Sequence, residues 1–420
     1  MMHVTIQRVD SELRGVGRLE SGKTVFVPFA LPGEVVAVSP VEEKDRYMIA
    51  RADEVLTPSA LRMTADCPHY GTCGGCSGRH MQYEATLKFK QQIVYDALNR
   101  LGGVENPVVE ETIGAENPLR NRNKVEFRIL PGGKIGYHSN ELGSAFPLTD
   151  CLLASEKMLD AARAAAKLCP RAQHVVIRTN RAGEMQLTVS GEGRFPVDAE
   201  ALAKASGATS IHVCRLKNRP AHALDGMVET LLGAPKLRET IFGNQFFLSP
   251  QAFLQTDTVQ ADKLYGEALR YLDLAGGEKV LDAYSGAGTI SLALAKKAGH
   301  VTGVEINPAS VRNAKEAAEL NGLADKVDFV CADAVQFARE NRARFDVAMV
   351  DPPRKGLDEA FTKALVAMRP EKIVYVSCNP ATLARDIKRM AGKYRLVKAR
   401  PVDMFPFTAN IETVACLTRI

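Results

Sequence analysis

The 420-residue chain has no run of eighteen apolar residues, and its longest uncharged stretch, Thr240 to Thr256, is interrupted by Asn, Gln, Ser and Pro. That excludes a helical membrane span. The opening MMHVTIQRVD lacks the apolar core of a secretory signal, so a cytoplasmic protein with no membrane partner is expected. An excess of one charge is lacking too. Against 54 basic residues stand 49 acidic ones, and the net charge of +5 permits nucleic-acid binding without pointing to it. There is no internal repeat. Hydrophobic residues at 46% and charged residues at 25% are ordinary globular usage, which argues against collagen, coiled coil and disorder. The length suits roughly two to four domains. Nothing in the pattern calls for an obligate protein partner.

What is present is more informative. Nine cysteines occur, and a reducing compartment makes metal ligands or catalytic thiols a better reading than a disulfide framework. Three of them crowd together in CPHYGTCGGCSGRH as Cys67, Cys73 and Cys76; the other six are scattered. Of these, Cys169, Cys214, Cys331 and Cys416 fall within apolar or strand patterns and read as small hydrophobes.

Three units are expected. Residues 1–58 alternate in short runs (VTIQRV, KTVFVPF, EVVAVS) between Gly, Pro and charged turns, which predicts a small β module. The segment VFVPFALPGEVVAVSP resembles the TRAM domain, an OB-like barrel of RNA-modifying enzymes. Residues 59–240 form a mixed α+β unit. It holds the cysteine cluster, a helix at about 83–101 that is a candidate to pack on the last unit, a hairpin around Pro131-Gly132-Gly133, and an Ala-rich helix over 156–168. In the third unit, 241–420, regular alternation sets in from about residue 278. The apolar runs KVLDAYS, HVTGVEI, VDFVCAD, FDVAMVD and KIVYVSC are separated by helical segments, which predicts a doubly wound parallel α/β sheet.

Two loops at the carboxyl edge of that sheet carry chemistry. After its first strand, Asp282-Ala-Tyr-Ser-Gly286-Ala-Gly288 opens into a helix, where glycines let the backbone approach a ligand. Glu305 ends the next strand, placed to meet ribose hydroxyls. Ser291 stands where a dinucleotide fingerprint has its third glycine, so S-adenosylmethionine suits the turn better than NAD. Asp333 follows the third strand and reads equally as an adenine contact or as a helix N-cap. The fourth strand ends in Asp351-Pro352-Pro353-Arg354, and the fifth in Ser377-Cys378-Asn379-Pro380, both beside the Gly-rich turn. Cys378 lies before a helix start, a setting expected to lower a thiol pKa.

Together Phe253-Leu254-Gln255, the Gly-rich turn, DPPRKGL, YVSCNPATLARD and VDMFPFTANIETVACL resemble the bacterial RNA uracil-C5 methyltransferases, and the cysteine cluster with the TRAM-like module matches the subgroup acting on 23S ribosomal RNA. The resemblance spans essentially the whole chain. It implies a Rossmann-like S-adenosylmethionine methyltransferase domain preceded by a TRAM barrel and an iron–sulfur domain. It further implies Cys378 as nucleophile, Glu412 as general base, and Gln255, Tyr284, Glu305 and Asp351 as cofactor contacts. RNA is the implied partner, with the transfer-RNA T-loop as the alternative to ribosomal RNA. Three positions depart from the family pattern: Ser285 in place of a frequent cysteine, Asn410 in place of a histidine, and Asp257 in place of an asparagine.

These residue types fit the chemistry. C5 of uracil is a poor nucleophile; a thiolate adding to C6 activates it, and a base must later remove the C5 proton. A stacked uracil hides C6, so the target must be flipped or lie in a loop. Cys67-x5-Cys73-x2-Cys76 with a distant Cys151 supplies four thiolates, which suit either zinc or a [4Fe–4S] cluster by residue type. The resemblance implies the cluster. Two other readings carry less: amino-group methylation of a purine needs no Cys378, and an inactive RNA-binding scaffold needs neither Cys378 nor Glu412.

Overall fold

The computed structural model describes residues 2–139, 142–341 and 343–420. Five strands, β1 (Met2–Val9), β2 (Gly15–Arg18), β3 (Thr24–Val27), β4 (Val35–Glu43) and β5 (Tyr47–Thr57), close into a barrel in the order β1-β2-β3-β5-β4. The alternation seen in the sequence becomes its core: Val4, Ile6, Val25, Val27, Val36, Val38, Met48 and Ala50 all point inward. Gly17 makes the closure fit, because a Cβ there would lie 2.4 Å from Val4 Cγ1 and 2.5 Å from the Thr5 carbonyl oxygen.

The middle of the chain runs through α1 (Tyr83–Arg100), β6 (Lys124–Leu130), β7 (Lys134–His138), β8 (Ala145–Pro147), α2 (Glu156–Leu168), β9 (His174–Thr179), β10 (Met185–Gly191), α3 (Ala199–Ser206), β11 (Ser210–Leu216) and β12 (Gly226–Leu232). Its strands form one sheet in the order β12-β11-β10-β9-β6-β7-β8. Gly132 and Gly133 turn the β6–β7 hairpin with φ of +77° and +68°, a region open to glycine. The Ala-rich helix buries Ala161, Ala162, Ala165 and Ala166 on this sheet. α1 does not join it. It packs on the helix Pro380–Met390 and the strand Tyr394–Val402 of the last unit, and it stops at Arg100, one residue short of the expected end, which leaves Leu101 exposed.

A hairpin of β13 (Leu237–Ile241) and β14 (Asn244–Leu248) leads through α4 (Thr258–Leu272) into the alternating region. There follow β15 (Lys279–Ala283), α5 (Thr289–Ala295), β16 (His300–Glu305), α6 (Pro308–Leu320), β17 (Val327–Cys331), α7 (Ala334–Glu340), β18 (Val347–Val350), α8 (Glu359–Met368), β19 (Lys372–Ser377), α9 (Pro380–Met390), β20 (Tyr394–Val402) and β21 (Glu412–Arg419). The sheet order is β17-β16-β15-β18-β19-β21-β20, and β15 to β19 are parallel as expected. The expectation of a purely parallel sheet is corrected at its end. β21 inserts antiparallel between β19 and β20, to which the short 403–411 connection joins it as a hairpin. A hairpin connection allows only antiparallel pairing. Among the described residues, no helix is long and apolar enough to cross a membrane.

Candidate active site

The antiparallel insertion brings the site together. β19 ends at Ser377 and β21 begins at Glu412, and the two strands pair Ser377 with Thr413. One residue beyond that pair, Cys378 and Glu412 therefore flank each other at the carboxyl edge of the parallel strands. Asp351 leaves β18, the strand beside β19, at the same edge.

Glu412 is 5% exposed, and burial, then the charge of Asp351, push its carboxyl up to about 8, against a downward pull from Arg354. Asp351 is pushed up to about 7 by burial and by Asp282. The Cys378 thiol is also raised, first by burial and then by Glu412 and Asp351, while Arg354 lowers it. This corrects the expectation of a thiol acidified by a helix start. Asn379 is the N-cap of α9, and its side chain accepts from the Ala381 N–H at 3.0 Å. Cys378 stands one residue outside that cap, facing carboxylates. Arg354 is held across the cleft: its guanidinium donates to Asn410 Oδ1 at 3.4 Å, and its carbonyl accepts from Asn379 Nδ2 at 3.4 Å. Asn410, where the family pattern has histidine, thus contacts the cation beside both groups.

The Gly-rich turn follows β15. Tyr284 has φ +68°, its N–H donates to the Val304 carbonyl at 2.9 Å, and its ring stands edge-on to Phe361. Gly286 (φ +54°) donates its N–H to Glu305 Oε2 at 3.1 Å, and the Asn307 N–H donates to Oε1 at 2.7 Å. Glu305 thereby ties the turn to the end of β16. Gly288 caps α5 at φ +81°, and a Cβ there would meet Phe329 Cζ at 2.7 Å and Ala314 Cβ at 3.0 Å. Ser291, read as a missing glycine, has a positive role. Its hydroxyl donates to Oδ2 of fully buried Asp282 at 2.5 Å, and the Asp282 carboxyl is pushed up to about 7 by burial. Asp333 Oδ1 accepts from the Val335 and Gln336 N–H groups at 2.9 and 3.1 Å, so it caps α7. It is also close enough to raise the Tyr284 phenol after burial has done so.

Gln255 is buried on a loop held by the middle sheet: Asn123 Nδ2 donates to the Gln255 carbonyl at 2.9 Å, and Asn121 Nδ2 to Asp257 Oδ2 at 2.9 Å. Asp257 caps α4 through the Gln260 N–H, a cap that a carboxylate fills as well as an amide. Sequence reasoning missed two residues. Tyr265, buried on α4, has the Gln255 side chain against its hydroxyl and Asp351, Glu412 and Asp282 around it. Lys90, fully buried on α1, donates to the loop that precedes Glu412. A signal for it existed: Lys90 stands at helical spacing between Leu87 and Val94, within the apolar stripe.

Cys67, Cys73, Cys76 and Cys151 line one cavity of about 1370 Å³, together with Arg122 and Tyr137. Burial raises the Cys67 and Cys73 thiols and pushes Cys76 up to about 12. Among the described residues, no group of three or more His, Cys, Asp or Glu is arranged to hold a metal ion. His69 and His80 are engaged elsewhere, on Thr149 and on the Tyr70 hydroxyl. The loop continues from Cys76 to the last unit, where the Ser77 and Gly78 N–H groups donate to the Phe407 carbonyl at 3.0 and 2.9 Å. Cys169, Cys214 and Cys416 are buried as expected; Cys331 is exposed, at the end of β17.

Comparison with known proteins agrees with this arrangement. Residues 240–420 match the tRNA (Uracil-5-)-methyltransferase family, and residues 1–52 match the TRAM domain. An uncharacterized RNA methyltransferase of Halalkalibacterium halodurans is 35% identical over 99% of this chain and 96% of its own length. One of Clostridium tetani is 36% identical over 96% and 93%. The crystal structure of Pyrococcus abyssi tRNA (uracil-54, C5)-methyltransferase in complex with S-adenosyl-L-homocysteine superposes with a TM-score of 0.80 at 25% identity, over 99% of this chain and 100% of that one. Fold and site define an S-adenosylmethionine-dependent methyltransferase. The chain belongs to the RNA uracil-C5 methyltransferases that carry an N-terminal TRAM domain.

Proposed function

We propose that this enzyme methylates C5 of a uridine in 23S ribosomal RNA, in the cytoplasm, through a covalent adduct between Cys378 and C6 of the base. The observation that carries the covalent reading is the pairing of β19 with β21, which sets a thiol and a buried carboxyl side by side at the carboxyl edge. In this reading Cys378, as thiolate, forms a bond from Sγ to C6, and the C5–C6 π electrons move toward C5 and O4. S-adenosylmethionine, when bound, would supply the electrophilic methyl group that C5 takes, its S–CH3 bond breaking with the electron pair going to sulfur and S-adenosylhomocysteine leaving. Glu412 then accepts the C5 proton, the C5–C6 double bond re-forms, and the Sγ–C6 bond breaks. Its raised pKa suits a group that must hold and release a proton near neutral pH.

Gln255, Tyr284, Gly286, Gly288, Glu305, Asp333 and Asp351 are the proposed cofactor contacts. The tie from Glu305 to Gly286 supports a ribose site there, and Gly288 gives the close approach. For Asp333 only Oδ1 is engaged by the helix cap. The units 1–58 and 59–240 are proposed to hold the RNA while 241–420 carries the chemistry. Cys67, Cys73, Cys76 and Cys151 are proposed ligands of a [4Fe–4S] cluster. Four thiols on one cavity are the right donor set, and a cluster bound there would brace the loop that reaches Phe407.

A second reading, a transfer-RNA T-loop uridine, is favoured by the name of the superposing Pyrococcus abyssi enzyme. Ribosomal and transfer RNA from a strain lacking the gene, incubated separately with enzyme and labelled cofactor and digested to nucleosides for mass spectrometry, decide between them. Labelled 5-methyluridine in 23S RNA alone supports the first reading. In transfer RNA alone it supports the second. A methylated purine contradicts both.

A further inference from the structure

Lys90 is 0% exposed, and its ammonium spends all three donors on one segment, the connection between β20 and β21. It donates to Asp403 Oδ1 at 2.6 Å, the Phe405 carbonyl at 3.1 Å and the Asn410 carbonyl at 2.9 Å. The first partner opens the connection; the last lies two residues before Glu412. Asp403 is fully buried and equally engaged, with Oδ2 accepting from the Tyr83 hydroxyl at 2.7 Å and its carbonyl from Gln260 Nε2 at 3.0 Å. The Tyr83 oxygen in turn accepts the Ala115 N–H at 2.7 Å.

An apolar side chain at position 90 would continue the stripe of α1 with no charge to desolvate. A buried ion pair is weak evidence for stability, since desolvation offsets much of its attraction. What three directed bonds to one loop supply is a fixed loop shape. That loop contains Phe407 at φ +59°, a strained backbone for a non-glycine residue. Glu412 follows at once. A base must sit within hydrogen-bond reach of its proton, and a displacement of about 1 Å can cost 10²-fold in rate.

We infer that Lys90 is a positioning residue for proton abstraction. By holding Asp403, Phe405 and Asn410 from α1, it fixes the loop that aims Glu412 at C5 of the target base. The inference rests on the covalent mechanism proposed above. It assigns to a helix outside the α/β sheet a part in one step of the reaction.

The test uses the full-length enzyme carrying Lys90→Met with Asp403→Asn, which removes both buried charges together, beside Glu412→Gln and the parent. The double variant is expected to keep cofactor affinity and the KM for RNA within about threefold, to lose about 10²-fold in kcat, and to accumulate a denaturant-stable protein–RNA adduct carrying the methyl group. A role in folding alone would lower the yield of active enzyme without building up that adduct. Parental kcat overturns the inference, and so does lost activity with no adduct while Glu412→Gln accumulates it. If Glu412→Gln itself yields no adduct, the covalent reading fails and the inference falls with it. Should the double variant not fold, Tyr83→Phe removes one bond to Asp403 together with the acceptor of the Ala115 N–H, and leaves Lys90 in place. A kcat several-fold lower with adduct present then supports the inference, and an unchanged kcat overturns it.

Discussion

Glu412→Gln should stabilise the protein, by an amount that grows with pH. In the unfolded chain this carboxyl ionises near pH 4.3. Folding buries it beside Asp351 and pushes it up to about 8. Between those values the unfolded state has released a proton that the folded state keeps. Stability contributed by this group is therefore present at low pH and is lost as pH rises from about 4.3 to about 8. Each pKa unit corresponds to about 1.4 kcal/mol, so the full window would be worth roughly 5 kcal/mol as a ceiling. Relaxation and water entering the cleft reduce such figures, and about 2 kcal/mol by pH 7.5 is the expected size. Glutamine does not titrate, so the variant should exceed the parent by about 2 kcal/mol at pH 7.5 and by little at pH 4.5. Calorimetric melts of parent and variant at the two pH values measure the difference. A gain equal at both, or a loss that deepens at pH 7.5, would refute the burial argument.

Glu305→Ala should weaken S-adenosylmethionine binding by one to two decades in calorimetry, as expected when a charged acceptor worth about 1.5–3 kcal/mol is lost. The same change unhooks Gly286 and Asn307; unchanged affinity would show the Gly-rich turn misread. Gly288→Ala forces a Cβ to within 2.7 Å of Phe329 Cζ at φ +81° and should destabilise the fold by about 1–3 kcal/mol, seen as a lower melting temperature. Anaerobically purified protein should be brown, with about four irons per chain, and Cys76→Ser should bleach it. Stoichiometric zinc without visible absorbance would sink the cluster assignment.

How far the sequence revealed this site differs from element to element. β15 to β19 stood out because strands buried on both faces read as unbroken apolar runs between helices. β20 and β21 did not, since the segment from Tyr394 to Ile420 has no intervening helix to mark a change of direction. Motif resemblance named Glu412 as a base, while its position beside Cys378 follows only from the antiparallel register. The thiol environment of Cys378 was misjudged for a related reason: helix proximity is visible along the chain, but carboxylates arriving from β18 and β21 are not. Ser291 looked like a lost glycine until its partner Asp282, nine residues earlier, appeared across the turn. Lys90 was a polar residue in an apolar stripe, a visible anomaly whose partner lay 313 residues away.

The central claim, that Cys378 adds covalently to the RNA base and Glu412 completes the turnover, is tested most directly on a denaturing gel. Parent, Cys378→Ala and Glu412→Gln are each mixed with substrate RNA and methyl-labelled S-adenosylmethionine, then denatured. With Glu412→Gln, a slow-migrating band containing protein, RNA and label should accumulate, because the Sγ–C6 bond breaks only after the C5 proton leaves. With Cys378→Ala there should be neither band nor methylated RNA, although the cofactor still binds. Methylated RNA from the Cys378→Ala variant, or normal turnover by Glu412→Gln without a trapped band, would contradict the account.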